Sequence, residues 1–321
     1  MTTALAVIPE QVALLPALPA ADIDRAASYA KQDKAPATRA AYRSDFASFQ
    51  AFCLSRGVAS LPATAEALAA YLASEVESGL KPSTISRRCA AIRYAHKLAG
   101  REPPTNSEAV KATLRGIRSI GAAPVRKAPA VAEIMRDMAH AAPTSIKGLR
   151  DRALLLLGFG GAFRRSELVA LDVADLEETE AGLRVTIRRS KTDQEGIGTT
   201  IAVVRGGANC PVKALRAWLD AAGIAEGAVF RPVRKGGKVL DRRLTAKSVC
   251  DLVKAYARRV GLDGAAFGAH SLRSGFLTSA ARRGASVFKM RDVSRHKSMD
   301  VLQAYVRDAD LFRDHAGAGL L

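Results

Sequence analysis

The chain is short of several residue types, and each shortage removes a class of reading. Its four cysteines (Cys53, Cys89, Cys210 and Cys250) are widely separated, with no C-x-x-C pair and no histidine at metal-ligand spacing. That pattern excludes a disulfide scaffold and a structural zinc site, and the thiols read as buried side chains in a reducing compartment. No run approaches eighteen apolar residues without a polar break, so nothing reads as a membrane-spanning helix. The apolar stretch 4–21 lacks a basic n-region, carries Glu10 and is broken by Pro9, Pro16 and Pro19. It reads as a poorly ordered arm rather than a signal peptide. There is no G-x-x-x-x-G-K-[ST] loop for a nucleotide and no carboxylate cluster for a metal ion.

Negative charge is the other scarcity. Asp and Glu number 31 against 49 Lys and Arg in 321 residues, a formal net charge of +18. A globular chain this basic meets a polyanion, and nucleic acid is the commonest. Hydrophobic residues make up 48% of the chain, enough to fill real cores, and the length suits two domains.

The apolar periodicity divides the chain. Tyr42, Phe46, Phe49 and Cys53 form one helical stripe from Thr38 onward. A second helix starts at Thr64 as N-cap and carries Leu68, Tyr71, Leu72 and Val76. A third follows Pro82, with Ile85, Cys89, Ile92 and Leu98 toward the core. A fourth begins near Asn106 or Ser107 with Val110, Leu114 and Ile117. The expected organisation is an arm over 1–34, a four-helix unit over 35–120, a linker over 121–129 and a second domain over 130–321. In the second domain helices are predicted over 131–141, 145–159, 211–222, 245–260, 271–283 and 286–293. Alternating runs at 183–188 and 200–204 read as a β-hairpin with Lys191 in its turn. The fold class is therefore mainly α with one small antiparallel sheet.

Basic residues crowd the third and fourth helices of the first unit. Arg87, Arg88, Arg93 and Lys97 lie off the apolar stripe of the third, and Arg115 and Arg118 belong to the fourth. Such a face is either solvated or set against a DNA backbone, and the global charge favours DNA.

Four pieces of the second domain carry chemistry. Arg164-Arg165-Ser166-Glu167 opens a helix, and Glu167 lies one turn from Arg164, where it can orient it rather than act as acid or base. Helical periodicity points Arg165 elsewhere. Lys191 is a cation at a hairpin tip. His270-Ser271-Leu272-Arg273 places an imidazole and a guanidinium on one helical face. His296 precedes Tyr305 by nine residues near the end of the chain. A tyrosine hydroxyl has a pKa of about 10, so reaching the phenolate at pH 7 costs roughly 4 kcal/mol, and a nucleophilic Tyr305 needs positive charge or a base beside it.

Taken together, Arg164, Lys191, the His270–Arg273 box, His296 and Tyr305 resemble the tyrosine recombinase (phage integrase) family, and the chain looks closest to its Cre-like and Xer-like members. The family's G-L-R-x-S-E-L motif is matched by Ala162 to Leu168, its H-x-L-R box by His270 to Arg273, and its Gly-His and tyrosine by His296 and Tyr305. The four-helix unit is similar to the family's core-binding domain. The resemblance implies that Tyr305 attacks a DNA phosphodiester to give a 3′-phosphotyrosine and a free 5′-hydroxyl. Arg164 and Arg273 would grip the phosphate, Lys191 protonate the leaving oxygen, His270 take the tyrosine proton and His296 donate to the phosphate. No metal, cofactor or ATP is implied.

The implied partner is double-stranded DNA with inverted half-sites, bound by a dimer per site and a tetramer per Holliday junction, with the two domains closing as a clamp. The implied location is bacterial or phage-host cytoplasm at the nucleoid. One departure stands out: Arg295 occupies the place of the family's glycine. The loop placing His296 is then open to change, and Arg295 itself reads either as a phosphate contact or as a solvated side chain. Leu311, Phe312, Leu320 and Leu321 suit a tail that docks on a neighbouring protomer, against the alternative of a frayed end. Two rival readings are a type IB topoisomerase with similar chemistry and a DNA-binding accessory protein without catalysis.

Overall fold

The computed structural model describes residues 33–120, 127–188 and 198–311, with scattered positions between 19 and 29. The expected arm 1–34, most of the linker (121–126), Lys191 and the tail beyond Leu311 therefore lie wholly or largely outside the described residues. The residues up to 120 form one compact unit and those from 127 onward another. No described helix is long and apolar enough to cross a membrane.

The first unit is the four-helix assembly read from the sequence: α1 (Pro36–Leu54), α2 (Ala65–Glu77), α3 (Pro82–Leu98) and α4 (Glu108–Ile120). Pro36 and Pro82 open α1 and α3 in the first turn, where a missing N–H is harmless. Thr64 caps α2 by accepting from the Ala67 N–H at 3.1 Å. Phe49, Cys53, Leu68, Tyr71, Leu72, Ile85, Cys89, Ile92, Val110 and Ile117 form the core, as their spacing requires.

Leu98 does not join that core; it is 65% exposed. The inward stripe of α3 continues instead through His96, which is fully buried. Its ring Nε2 accepts from the Ala63 N–H and its Nδ1 faces the Ile92 carbonyl, both at 2.9 Å. Leu98 follows His96 by two residues, about 200° around a helix of 3.6 residues per turn, and so faces away.

In the second unit α5 (Ala132–His140), α6 (Ile146–Gly160), α7 (Arg165–Ala170), α8 (Pro211–Ala222), α9 (Ala246–Arg259), α10 (His270–Arg282), α11 (Val287–Ser294) and α12 (Met299–Ala309) accompany one sheet. The predicted hairpin is β2 (Gly182–Ile187) and β3 (Thr199–Val204), antiparallel, with Val185 opposite Ile201. A further strand, β1 (Leu176–Glu178), pairs with β2. Its sequence Leu-Glu-Glu is too short and too acidic to announce a strand. Leu183, Val185, Ile187, Ile201 and Val203 turn inward onto the core shared with α6, α8 and α9. The lone tryptophan, Trp218, is buried there and donates from Nε1 to the Val229 carbonyl at 2.8 Å.

A buried ion cluster ties α6 to α9. Asp151, fully buried, accepts from Lys147 Nζ at 2.8 Å, from the Arg150 guanidinium and from the Tyr256 hydroxyl at 3.1 Å. A smaller element decides how α10 sits. The chain entering the unit donates from the Ala128 and Ala130 N–H groups to the carbonyls of Ala266 and Ser271, at 2.8 and 2.9 Å. A Cβ on Gly275 of α10 would lie 1.9 Å from the Ala130 carbonyl oxygen. Gly275→Ala is therefore expected to lower stability by about 1–3 kcal/mol through forced backbone displacement, read as a lower urea midpoint with unchanged slope.

Candidate active site

The site begins where α6 stops at Gly160 and the chain turns through Gly161, Ala162 and Phe163. Ala162 takes a left-handed φ of 46°, unusual for a residue with a β-carbon. Phe163 fills the core, and Arg164 then starts α7 with its side chain turned inward. Glu167, buried at the third position of α7, accepts from the Arg164 N–H at 2.9 Å and from Arg164 Nη1 at 2.6 Å. Arg243 Nη1 satisfies the far end of the helix through the carbonyls of Val169 and Leu171, at 2.8 and 3.0 Å. A helix of six residues stands because both ends are tied. Arg165 is exposed, as its helical position predicts.

Two further elements face this turn. His270 opens α10, and Arg273, one turn on, is almost completely buried. Arg273 Nη1 donates to the Ala162 carbonyl at 2.7 Å, while its Nη2 lies 3.2 and 3.3 Å from the two ring nitrogens of His296. His296 follows α11, and its Nδ1 is 2.8 Å from the hydroxyl of the fully buried Ser294. Ser294 went unnoticed in the sequence, where a serine two residues before a histidine carries no signal.

Burial disfavours added charge throughout this cluster. It lowers the pKa of Arg273 to about 9, helped by the like charges of Arg164 and Arg295. Burial also pushes His296 down to about 4, with Arg273, Arg164, His270 and Arg295 adding to the shift. His270, whose residue surface is more exposed, also moves down, through partial desolvation of its ring first and then the charges of Arg273 and Arg164. Both imidazoles are thus neutral at pH 7. Glu167 runs the other way: burial opposes its charge, but Arg295 and Arg164 outweigh it and hold the carboxyl below its usual range.

Arg295 is the residue that the sequence placed wrongly. Its side chain is not solvated. It adopts a left-handed conformation, φ 57°, which a glycine would reach at less cost. Its side chain folds inward, 7% exposed, with Nη2 2.8 Å from Glu167 Oε2 and the guanidinium 5.4 Å from the Phe163 ring centroid.

Tyr305 lies on α12, half-buried beside Leu277, Ala281, Met290 and Leu302, and is near enough to Arg273 to act on its charge. Arg164, His270, Arg273, His296 and Tyr305 are therefore gathered from three helices (α7, α10 and α12) and the loop after α11, with Glu167 behind Arg164. Lys191 lies outside the described residues. Among the described residues no group of histidine, cysteine, aspartate and glutamate side chains has the arrangement of a metal site. Two guanidiniums, two neutral imidazoles and a phenol can bind a phosphate ester, spread the charge of a five-coordinate phosphorus and move one proton.

In the first unit the expected basic face splits in two. Arg87 makes a two-pronged contact with buried Asp45, at 2.8 and 2.9 Å, and Arg88 is held by Tyr71 and Glu75. These two staple α3 to α1 and α2. Arg93, Lys97, Arg115 and Arg118 remain exposed, and Arg93, Arg115 and Arg118 share a groove of about 470 Å³ with Lys111.

Residues 131–311 match the phage integrase family, and residues 27–103 match the phage integrase N-terminal SAM-like domain. The chain is 37% identical over 293 residues to an integrase/recombinase xerD homolog of Selenomonas ruminantium, covering 89% of this chain and 86% of that protein. Tyrosine recombinase XerC of Herpetosiphon aurantiacus is 30% identical over 274 residues, covering 84% and 83%. Among solved structures, a lambda integrase dimer bound to a COC′ core site shares the fold, with a TM-score of 0.59 at 18% identity over 92% of this chain and 78% of that one.

The depressed imidazoles make a sign-specific prediction. A histidine whose folded pKa lies below the unfolded value of about 6.5 stabilises the fold fully above that pH and loses this as pH falls toward the folded value. For His296 the window runs from about 6.5 down to about 4. His296→Gln should therefore show a smaller drop in Tm between pH 7 and pH 5 than the unsubstituted chain, measured without DNA. An equal drop in both would rule out His296 as a source of the dependence.

Proposed function

The chain belongs to the phage integrase family and is a tyrosine recombinase that cleaves and rejoins DNA, and from that premise we propose which residues do the chemistry. Convergence of Arg164 and Arg273 beside the helix that carries Tyr305 is the observation that supports the assignment most. Tyr305 Oη attacks the scissile phosphorus, the bond from phosphorus to the 5′-oxygen breaks, and a 3′-phosphotyrosine forms. His270, neutral at pH 7, accepts the phenolic proton. Lys191 gives its proton to the departing 5′-oxygen. Arg164 and Arg273 hold the non-bridging oxygens as charge grows on them, and losing one such donor costs about 10²–10³ in rate. His296 donates to the same phosphate once DNA is bound. Rejoining reverses the step with an incoming 5′-hydroxyl, and the ester's energy, kept in the phosphotyrosine, makes ATP unnecessary.

Residues 35–120 serve as the core-binding domain and 130–321 as the catalytic domain, joined by the 121–129 linker. Two protomers bind inverted half-sites, and two such sites pair as a tetramer that exchanges strands through a Holliday junction. The match across both domains supports recombination over topoisomerase-like nicking and closing. On the first unit, Arg93, Lys97, Arg115 and Arg118 contact the DNA backbone, whereas Arg87 and Arg88 stabilise the helices that present them.

Tyr305→Phe is expected to bind its DNA site with unchanged affinity and to form no covalent adduct with a nicked suicide substrate, read by denaturing gel. An adduct with that variant would remove Tyr305 as nucleophile. Replacing Arg93 and Arg118 together by alanine should lower the slope of log K against log salt by about two, since each lost phosphate contact lowers it by about one. Arg87→Ala should instead leave that slope unchanged and lower the urea midpoint of unfolding.

A further inference from the structure

The unexpected burial of Arg295 carries more than a correction. As a stabilising device it is a poor choice. A residue with a β-carbon pays for the left-handed corner, and its Nε finds no acceptor among the described residues. Glycine would make the same turn without either cost. What Arg295 adds is a set of contacts to one place. Its Nη1 donates to the carbonyls of Gly161 at 3.2 Å and Val293 at 2.5 Å. Its Nη2 donates to the Ala162 carbonyl at 3.2 Å and to Glu167 Oε2 at 2.8 Å. Arg164 in turn reaches the Arg295 carbonyl with Nη2 at 3.3 Å, and holds the other oxygen of Glu167.

We propose that Arg295 is a positioning residue for strand cleavage: by sharing the buried Glu167 carboxylate it leaves Arg164 its positive charge for the scissile phosphate, and by bracing the 161–167 turn it sets His296 beside Arg273. The inference rests on the assignment of Arg164 and Tyr305 above. Its physical content is a charge balance. Arg164, Arg273 and Arg295 face one carboxylate, which leaves two positive charges in the cluster. A phosphodiester carries one negative charge and approaches two as the fifth oxygen bonds. Without Arg295, the buried Glu167 has Arg164 as its remaining guanidinium, and the two form a nearly neutral pair. The incoming phosphate must then compete with a carboxylate already seated on the residue meant to receive it. Burial makes that competition severe, because a desolvated ion pair is not weakened by water.

The test is a double substitution whose sign separates this role from simple bracing. Arg295→Gly suits the backbone and removes the side chain alone. It should slow single-turnover adduct formation on a nicked substrate by about ten- to a hundred-fold, part of what losing a phosphate donor costs, with the Kd for DNA little changed. Adding Glu167→Gln releases Arg164 from its carboxylate and should recover most of that loss, even though Tm falls further. A double variant as slow as Arg295→Gly, or slower, overturns the proposal, since bracing alone predicts accumulating damage. Should Arg295→Gly fail to fold, Arg295→Lys decides the matter by keeping the charge with fewer donors. It should cleave within a few-fold of the unsubstituted chain at a lower Tm, and a loss as large as that of Arg164→Lys overturns the proposal. The unsubstituted chain is assayed in parallel: absence of any adduct at Tyr305 overturns the assignment on which the proposal stands, and the proposal with it.

Discussion

The catalytic unit depends on one buried carboxylate. Glu167 sits where burial alone would push a carboxyl toward its neutral form, yet it is held ionised between Arg164 and Arg295. Removing one partner from a buried ion pair costs about 3–5 kcal/mol, because the other is left charged without compensation. Each of the three groups therefore constrains the others. Glu167 belongs to α7, Arg164 begins that helix, and Arg295 ends α11, so a single ionic node fixes the start of one helix against the end of another. Arg273 joins it through the Ala162 carbonyl, which accepts from both Arg273 and Arg295.

That carbonyl points out the second feature of the site. Ala162 and Arg295 are the described non-glycine residues with positive φ, and both flank the cluster. Both stand where the family pattern has glycine. Left-handed backbone at a residue with a β-carbon costs about 1–2 kcal/mol and persists where the surroundings over-determine it. Here the surroundings are guanidiniums that need acceptors. The turn at Ala162 aims its carbonyl at two of them, and the turn at Arg295 sends its own side chain to the same place while delivering His296 to Arg273.

Charge is used differently in the two units. In the first, Asp45 and Glu75 each take an arginine of α3, and the helices are joined by these pairs as well as by the apolar core. The arginines beyond their reach stay at the surface, where a polyanion can use them. These pairs cancel within the net charge of +18 and take nothing from it, but they remove Arg87 and Arg88 from the set of arginines available to a partner. The second unit instead buries the guanidiniums of Arg273 and Arg295, and there desolvation with the neighbouring positive charge holds the His270 and His296 imidazoles toward their neutral forms.

Periodicity alone determined the four-helix unit, the hairpin and most helices of the second domain, because alternation of apolar and polar residues is a local property. Arg164, Glu167, His270, Arg273, His296 and Tyr305 stood out as one set through the resemblance of their order to the tyrosine recombinase pattern, each piece being weak alone. What lay beyond reach were outcomes decided by partners distant in sequence. Leu98 lost its place in the core to His96, which had a backbone N–H at Ala63 to bind. β1 exists because β2 offers it a free edge. Arg88 turned inward because Tyr71 and Glu75 wait one helix away. Arg295 was legible as an anomaly but not as a buried residue, since Glu167 lies 128 positions before it. A side chain's own neighbours along the chain say where it can point; only the folded surroundings supply the charge that makes one direction worth its desolvation.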